Sequence, residues 1–274
     1  MTDVTTSRPR PAGAGGEAPV IECSDVTVRF GGVVALSRVG IGIPPASIIG
    51  LIGPNGAGKS TLFDVLSGLR RPVAGRVMMG GEDVTRSSPQ TRSRRGLSRT
   101  FQHPELFSTL TVREHLVVAH RVRYARSRIW TDLIGLPSRW RRDRAEETRV
   151  DEILRILGIE DIADRRAVGL PLGQLRRLEV GRSLAGDPSV ILLDEPSSGL
   201  DSQETDLLAT AISRAREDRG VAAVLVEHDV DLVLGLADEV YVLDFGSMIA
   251  SGPPDLIRDD PKVQAAYIGT EPVP

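Results

Sequence analysis

The fold is decided by residues 53–61, which read Gly53-Pro54-Asn55-Gly56-Ala57-Gly58-Lys59-Ser60-Thr61. This is the pattern G-x-x-x-x-G-K-S of a phosphate-binding loop, or P-loop. Its glycines let the backbone curl until successive N–H groups point at phosphate oxygens. The lysine supplies a cation for the β- and γ-phosphates, and the serine hydroxyl can ligate Mg²⁺. We therefore predict a nucleoside triphosphate site in which residues 53–61 bind the phosphates, Lys59 acts in catalysis and Ser60 binds the metal.

The flanking sequence gives this motif the context it needs. The apolar run at 48–52 predicts a buried strand, and residues 61–66 predict a helix whose N-terminus adds partial positive charge to the site. Of 34 Lys and Arg residues only two are lysines, Lys59 and Lys262. A chain that otherwise uses arginine has lysine where a compact point charge binds phosphate.

Composition excludes several classes of protein. The net charge of −3 at pH 7 gives no sign of nucleic-acid binding, so no nucleic-acid partner is expected. The single cysteine, Cys23, excludes an internal disulfide and suits a reducing compartment. Residues 1–19 predict a disordered tail. Neither a signal peptide nor a transmembrane helix is expected, so work at a membrane would need the spanning helices of another protein.

The order of predicted elements indicates one α/β domain. Strands are predicted at 20–23, 26–30, near 33–43, 48–52, 76–79, 190–193, 221–226 and 240–243, with a mainly helical region at about 109–184. Continuous apolar runs such as 190–193 and 221–226 are typical of parallel strands covered on both faces. We therefore expect a mixed sheet with a helical segment inserted between two parts of one nucleotide-binding core.

Four further residues can carry phosphoryl-transfer chemistry. Asp194 and Glu195 follow a predicted buried strand, at the sheet edge where ligands collect. Asp194 would bind Mg²⁺ and Glu195 would polarise the attacking water; the alternative is an acidic pair that caps the next helix. His228 would bond the γ-phosphate and hold the water with Glu195, or else be structural. Gln102 would offer Mg²⁺ a neutral oxygen.

These motifs occur in a recognisable order along the chain. The P-loop is followed by Gln102, Leu-Pro-Leu-Gly-Gln at 170–174, Leu-Leu-Asp-Glu-Pro at 192–196, Ser-Gly-Leu-Asp at 198–201 and His228. This order resembles the ATPase of ABC transporters over residues 20–270. The resemblance implies the ABC type of P-loop NTPase, an α/β fold whose mixed sheet core carries an antiparallel β subdomain and an inserted helical subdomain. It implies a core with β subdomain at 20–108 and 185–252, a helical subdomain at about 109–184, and C-terminal helices at 253–270.

Three stretches narrow the resemblance to one subgroup. They are residues 99–107, 173–180 and 260–269, and all resemble the ATP-binding subunits of branched-chain (hydrophobic) amino-acid importers. The insert between His120 and Arg149 also suits that subgroup in position and length.

The resemblance implies a role for each matching residue. Phe30 would stack on adenine, where tyrosine is usual, and Gln102 would sense Mg²⁺, act in catalysis and touch the membrane subunit. The signature at 170–174, through Leu172, Gly173 and Gln174, would bind the γ-phosphate held by another subunit's P-loop. Asp201 and His228 would be the acid of the D-loop and the switch of the H-loop. Two subunits in a head-to-tail pair would then enclose two ATP molecules.

One departure from the family pattern lies in the signature. The usual sequence is L-S-G-G-Q, but Pro171 stands at the serine position and offers neither a hydroxyl nor an N–H. A hydrogen bond to a charged group contributes about 1.5–3 kcal/mol. The Gly173 N–H and the start of the next helix remain for the γ-phosphate. We therefore expect weaker ATP-driven pairing and slower turnover, but not inactivity.

The insert is rich in arginine and contains both tryptophans. Its cluster comprises Arg121, Arg123, Arg126, Arg128, Trp130, Arg139, Trp140, Arg141, Arg142 and Arg144. It is either a solvated, partly helical excursion or a surface for anionic headgroups or the membrane subunit.

The sequence thus predicts a Mg²⁺-dependent ATPase that powers a membrane importer for branched-chain amino acids or similar small polar solutes. The resemblance implies a second, identical or homologous ATPase subunit, two membrane permease subunits and an extracytoplasmic solute-binding protein. The chain would lie at the cytoplasmic face of the cell membrane. Two alternatives stay open: an ABC ATPase of a lipid-export system, and a soluble ABC mechanoenzyme, although the latter usually has two ATPase cores or long coiled coils.

Overall fold

A six-stranded mixed sheet forms the centre of the protein, in the order β10-β9-β3-β8-β7-β6. The structure is a computed structural model that describes residues 18–100, 107–124 and 144–268. The strands of this sheet are β3 (Ile48–Ile52), β6 (Leu97–Arg99), β7 (Val190–Asp194), β8 (Ala222–Val226), β9 (Glu239–Asp244) and β10 (Ser247–Gly252).

Strands β3, β7 and β8 are buried at every residue, as their continuous apolar sequences predict. They pair in parallel, with Ile48 opposite Ala223 and Val190 opposite Ala222. β9 is also parallel to β3, whereas β10 returns antiparallel to β9. Parallel pairing brings the carboxyl ends of β3, β7 and β8 to one edge, which therefore carries the P-loop, Asp194 and Glu227.

A second sheet is antiparallel, in the order β2-β1-β4-β5. Its strands are β1 (Ile21–Phe30), β2 (Val33–Ile43), β4 (Ala74–Met79) and β5 (Glu82–Asp83). The sequence predicted two strands at 20–23 and 26–30, but the structure has one. The register shifts between Cys23 and Val26, and Asp25 has φ 51°, so a β-bulge interrupts the alternation that marks a strand.

The helices of the described residues surround the two sheets. They are α1 (Lys59–Ser67), α2 (Pro89–Arg94), α3 (Val112–Tyr124), α4 (Arg144–Leu157), α5 (Leu172–Ala185), α6 (Ser202–Arg219), α7 (Val230–Leu236), α8 (Pro254–Arg258) and α9 (Pro261–Ile268), with a 3₁₀ turn at Glu160–Ile162. Helices α3, α4 and α5 are inserted between β6 and β7. The expected fold class, an α/β P-loop NTPase with antiparallel sheet and helical insertion, is confirmed. None of the described helices has the length and apolar character needed to cross a membrane.

The core consists of two apolar clusters, one on each face of the central sheet. One joins the face containing Ile48, Ile52 and Leu193 to helices α3–α6. The other joins the face containing Ile49, Leu51 and Leu192 to α1 and the antiparallel sheet. The site thus rests on strands that are held rigidly from both sides.

A buried arginine fastens the C-terminal end of α1 to the antiparallel sheet. Arg92 has no exposed surface, and its guanidinium donates to the carbonyl oxygens of Val65, Leu66, Val84 and Thr85 at 2.6–3.3 Å. Two of these carbonyls belong to the last turn of α1, where the guanidinium adds to the single N–H of Gly68 that Val65 accepts. Burial lowers the pKa of Arg92 to about 10. The helix that begins at the P-loop is therefore anchored at its other end as well.

Candidate nucleotide-binding site

The P-loop leaves β3 through glycines that no other residue could replace without strain. Gly53 has φ 149°, and a side chain there would collide with the Leu243 carbonyl oxygen. Gly58, the N-cap of α1, has φ 106°, and a Cβ atom there would lie 2.8 Å from the Ala35 carbonyl oxygen. The loop is thus held close to β9 and β2 with its backbone N–H groups available at the start of α1.

One cavity brings most of the predicted groups together. It has a volume of about 200 Å³ and is lined by Ala35, Asn55, Gly56, Ala57, Gly58, Lys59, Ser60, Thr61, Glu195 and His228. Glu195 and His228 come from the ends of β7 and β8, so the sheet edge rather than the sequence brings them to the P-loop. Leu172, Gly173, Gln174 and Asp201 do not line this cavity.

Lys59 is buried at the base of the loop, with 6% of its surface exposed. Its ammonium donates to the carbonyl oxygens of Gly53 and Pro54, the latter at 3.1 Å. Burial lowers the pKa of Lys59, and the carboxylates of Glu195 and Asp194 oppose this shift. Phosphate oxygens would therefore supply the charge that this desolvated cation lacks.

Asp194 ends β7 with 5% of its surface exposed, and only one of its oxygens is engaged. Oδ2 accepts from Arg99 Nη2 at 3.0 Å, while Arg99 Nη1 donates to Asp64 Oδ1 at 2.7 Å. Oδ1 is buried and has no hydrogen-bond partner among the described residues. An unpartnered carboxylate oxygen, together with the exposed Ser60 hydroxyl, is a donor set that suits Mg²⁺ when phosphates complete its shell. The residues present therefore fit the metal.

Glu195 occupies a left-handed backbone conformation, with φ 48°, directly after β7. Its N–H donates to the Val226 carbonyl oxygen at 2.9 Å, which ties this turn to β8. Its side chain meets His228, whose Nε2 lies 2.8 Å from Oε1. A non-glycine residue in this region stores strain that neighbouring contacts must hold. The contacts with Val226 and His228 therefore hold the Glu195 carboxylate beside the P-loop.

Sequence reasoning gave no role to Glu227, the residue before His228. It is 3% exposed, and its Oε1 accepts from the Ser197 N–H at 2.7 Å. Burial raises the pKa of Glu227, although hydrogen bonds from Ser197 and the His228 backbone oppose the shift. One buried carboxyl thus holds both the turn after Glu195 and the segment that carries His228. Only its place next to His228 could have drawn attention to it.

The signature residues lie at the start of α5. Pro171 is the N-cap and makes no side-chain capping bond. Leu172 is exposed, Gly173 is buried, and Gln174 has a buried Oε1 with no partner among the described residues. The Gly173 N–H donates to Glu204 Oε1 at 3.3 Å. The sequence did not indicate this contact, because Glu204 lies on α6.

Asp201 lies at the exposed N-cap of α6, where its Oδ1 accepts from the Glu204 N–H at 2.8 Å. Phe30 ends β1 and is 44% exposed. Its ring is covered on one face by Arg70, whose guanidinium carbon lies 4.2 Å from the ring centroid. Gln102, which we predicted at the metal, lies outside the described residues, as does most of the arginine-rich insert.

The C-terminal helix also reaches the P-loop. A second cavity of about 350 Å³ is lined by Gly53, Pro54, Asn55, His228 and Tyr267 of α9. Burial raises the pKa of the Tyr267 hydroxyl. No motif in the sequence indicated that this helix would pack beside the phosphate-binding loop.

Comparisons with protein families agree with the motif order. The family model described as ABC transporter matches residues 36–198. The model described as branched-chain amino acid ATP-binding cassette transporter matches residues 247–273, a segment that includes β10 and α9.

Similar full-length proteins cover nearly the whole chain. The high-affinity branched-chain amino acid transport ATP-binding protein BraF of Pseudomonas aeruginosa is 36% identical over 251 residues, 92% of this chain and 98% of BraF. The corresponding protein LivG of Escherichia coli K12 is 36% identical over 252 residues, 92% of this chain and 98% of LivG.

Solved structures share the fold. The ADP conformation of MJ1267, an ATP-binding cassette of an ABC transporter, matches with a TM-score of 0.79 at 30% identity, covering 92% of this chain and 100% of that one. A nucleotide-free ATP-binding cassette from an ABC transporter matches with a TM-score of 0.77 at 29% identity, covering 92% and 99%.

Proposed function

Since the chain belongs to the ABC transporter family and is one of its ATP-binding, ATP-hydrolysing subunits, we propose that it powers a membrane importer for branched-chain amino acids. The observation that carries the ATPase mechanism is the Glu195–His228 pair, which shares one cavity with the P-loop. The substrate class rests on the relatives, BraF and LivG, and on the C-terminal segment. Similar small polar solutes are the other cargo to test.

The residues at the sheet edge would divide the chemistry as follows. The N–H groups of 53–61 and the ammonium of Lys59 bind the β- and γ-phosphates, and Phe30 stacks on adenine. Ser60 and Asp194, with Gln102, would hold Mg²⁺, which would supply charge neutralisation at the phosphates. Such transfer needs positioning and charge stabilisation more than covalent chemistry, so this set suffices when a water is placed in line.

Glu195 and His228 place that water. The Glu195 carboxylate accepts a hydrogen bond from the water and polarises it toward the γ-phosphorus. With Nε2 protonated, His228 would donate to Glu195 and hold the carboxylate in the cavity, where its ring would also lie beside the γ-phosphate. Because the Glu195 backbone is fixed by the Val226 carbonyl, the carboxylate keeps its orientation without a large entropy cost.

The proposed assembly contains a second ATPase subunit, two permease subunits and, through them, an extracytoplasmic solute-binding protein. Leu172, Gly173, Gln174 and Asp201 lie outside the P-loop cavity, which is consistent with their acting on nucleotide bound by the second subunit. ATP would close the pair, and hydrolysis at Glu195 would reopen it. The segment around Gln102 would transmit this motion to permease helices at the cytoplasmic face of the membrane.

Affinity purification of tagged Glu195→Gln from detergent-solubilised membranes with Mg-ATP tests this assembly. The variant keeps the P-loop but lacks the water-polarising carboxylate, so it accumulates in the closed, ATP-bound form. We expect mass spectrometry to find two multispanning permeases. Lys59→Met is the control, because it removes the phosphate-binding cation and should lose the ATP-dependent enrichment. Recovery of lipid-export components would instead favour the lipid-export ATPase, and recovery of ribosomal components would favour the soluble mechanoenzyme.

Transport by the purified complex then tests the cargo. In proteoliposomes with the solute-binding protein and internal ATP, we expect uptake of labelled leucine that unlabelled isoleucine and valine inhibit. Uptake that only amides or urea inhibit would keep the importer and replace its substrate. The Glu195→Gln complex should not transport either solute.

A further inference from the structure

The start of α5 is capped from another helix. The first N–H groups of an α-helix have no partner within it, and a serine or aspartate at the N-cap usually accepts one of them. Pro171 occupies this position and has no acceptor in its side chain. The Gly173 N–H donates instead to Oε1 of Glu204, at 3.3 Å. Glu204 of α6 therefore supplies the cap that the residue at 171 cannot.

The Glu204 carboxylate can approach position 173 only because that residue is glycine and has no side chain. A Cβ atom built at Gly173 would lie 2.7 Å from the Glu204 carboxyl carbon and from Oε1. The backbone of Glu204 is fixed as well, because its N–H donates to Asp201 Oδ1 at 2.8 Å. The carboxylate thus reaches the helix from the anchored first turn of α6.

Charge near Gly173 is balanced in this arrangement. Arg177, one turn further along α5, is buried, and its guanidinium donates to the Gly173, Leu157 and Gly158 carbonyl oxygens. Burial lowers the pKa of Arg177, and the Glu204 carboxylate is among the charges that oppose this shift. Without the Glu204 charge, the helix N-terminus and Arg177 would together present positive potential to an incoming anion.

We propose that Glu204 is a positioning residue that occupies, at the Gly173 N–H, the place of the γ-phosphate oxygen of ATP bound by a second subunit. This inference rests on the proposed function, in which the signature binds that phosphate. Two anions cannot share one N–H donor at close range, so the carboxylate must leave before the phosphate binds. Glu204 therefore sets how much ATP is needed to close the pair.

The glutamine variant separates the two roles of Glu204. In Glu204→Gln the amide oxygen still accepts from Gly173, but the negative charge is absent. In Glu204→Ala both the charge and the cap are lost. Glu217→Gln makes the same change of charge at an exposed position of the same helix and is the matched control.

The experiment measures ATP-dependent pairing of the full chain in the non-hydrolysing Glu195→Gln background. Sedimentation velocity at increasing Mg-ATP gives the ATP concentration for half-maximal dimer. With Glu204→Gln we expect this concentration to fall roughly 10-fold, which corresponds to about 1.4 kcal/mol. Binding of a fluorescent ATP analogue to the monomer should stay unchanged, because Glu204 does not line the P-loop cavity of its own subunit. The melting temperature should fall for Glu204→Ala only.

Two results would overturn the inference, and they have different consequences for the proposed function. If Glu204→Gln and Glu217→Gln pair at the same ATP concentration as the parent, Glu204 is only a helix cap, and the proposed function is untouched. If neither the parent nor any variant pairs at saturating ATP, the inference fails for a pair of identical chains. The proposed function, which also allows a homologous second subunit, fails only if the Glu195→Gln purification recovers no permease.

Discussion

Glu227 Oε1 accepts a hydrogen bond from the Ser197 N–H at 2.7 Å, which joins the end of β8 to the turn that carries Glu195. The carboxyl is almost fully enclosed and lies near the Glu195 carboxylate and beside His228. Its environment therefore disfavours the charged form, although its hydrogen-bond donors favour it.

This environment predicts how stability depends on pH. Burial raises the pKa of Glu227 above its ordinary value of 4.5. The native state therefore keeps the proton to higher pH than the unfolded chain does. Its contribution to stability is full below pH 4.5 and is lost as pH rises through the raised pKa. Because glutamine does not titrate, we expect the Glu227→Gln variant to gain stability relative to the wild type as pH increases over this range. Urea unfolding at several pH values measures the difference, with exposed Glu217→Gln as control. A difference that does not change with pH would contradict this prediction.

The Glu195–His228 contact predicts non-additive effects on turnover. Glu195→Gln should lower kcat by about 10²-fold or more, since it removes the group that polarises the water. His228→Ala should lower kcat by a smaller factor, because it removes the partner that holds Glu195. When two residues act as a unit, the double variant loses less kcat than the two single variants together would suggest. Single-turnover ATP hydrolysis by both variants and the double variant measures this; additive losses in log kcat would show that the two residues act separately.

Arg70 should strengthen adenine binding indirectly, because it packs against the Phe30 ring on which adenine would stack. The Arg70 guanidinium lies over one face of the Phe30 ring, and its Nε is buried without a hydrogen-bond partner among the described residues. Adenine would stack on the opposite face. A cation–π contact contributes about 0.5–1 kcal/mol, so Arg70→Met should weaken ATP binding roughly 2- to 5-fold.

Two comparisons make the Arg70 prediction specific. Binding of inorganic tripolyphosphate, which has no base, should be the same in Arg70→Met and the wild type. Arg71→Met, at the exposed neighbouring residue, should bind ATP normally. Tighter ATP binding by Arg70→Met would mean that Arg70 covers the face that adenine needs. Isothermal titration calorimetry measures ATP and tripolyphosphate binding by Arg70→Met and ATP binding by Arg71→Met, each against the wild type.

Arg92 predicts a large effect on stability. Arg92→Met keeps much of the apolar volume but removes a donor from four carbonyl oxygens. Those of Val65 and Val84 keep the N–H groups of Gly68 and Ser87, whereas those of Leu66 and Thr85 lose the guanidinium with no such replacement among the described residues. Each unsatisfied buried group costs about 1–3 kcal/mol, so we expect at least about 2 kcal/mol lower free energy of unfolding in urea. Arg94→Met, exposed on the same short helix, should change it by less than about 0.5 kcal/mol. Equal effects would show that the buried hydrogen bonds contribute little.

Replacing Pro171 by the serine that is usual in the signature should strengthen ATP-driven pairing. Pro171→Ser adds a hydroxyl that can bind the γ-phosphate of the second subunit, so ATP-driven pairing should strengthen about 10-fold or more if the full bond of about 1.5–3 kcal/mol forms. The serine can also cap α5, which releases Glu204 from that role. Sedimentation velocity in the Glu195→Gln background measures pairing, and no change in dimer affinity would remove the idea that proline weakens the signature.

The sequence by itself determined the parts that depend on consecutive residues. The P-loop is one such part, because its conformation follows from three glycines between a buried strand and a helix. The continuous apolar runs of β7 and β8 likewise predicted parallel strands. The short β6 and the half-buried β10 gave no comparable signal, and the bulge at Asp25 divided β1 into two apparent strands. The roles of Phe30, Asp201 and the signature came from the family resemblance and remain predictions.

Only the tertiary structure decided which distant groups meet. Arg99 reaches Asp194 across 95 residues, Glu227 reaches Ser197 across 30, and Glu204 reaches Gly173 across 31. No local pattern encodes these contacts, because each depends on how two elements pack against the sheet or against each other. Strand order places Glu227 beside the turn after Glu195, and the packing of α6 on α5 places Glu204 at the signature. The sequence therefore specified the phosphate-binding loop, whereas the fold specified the distant side chains that hold Asp194, the turn after Glu195 and the signature in position.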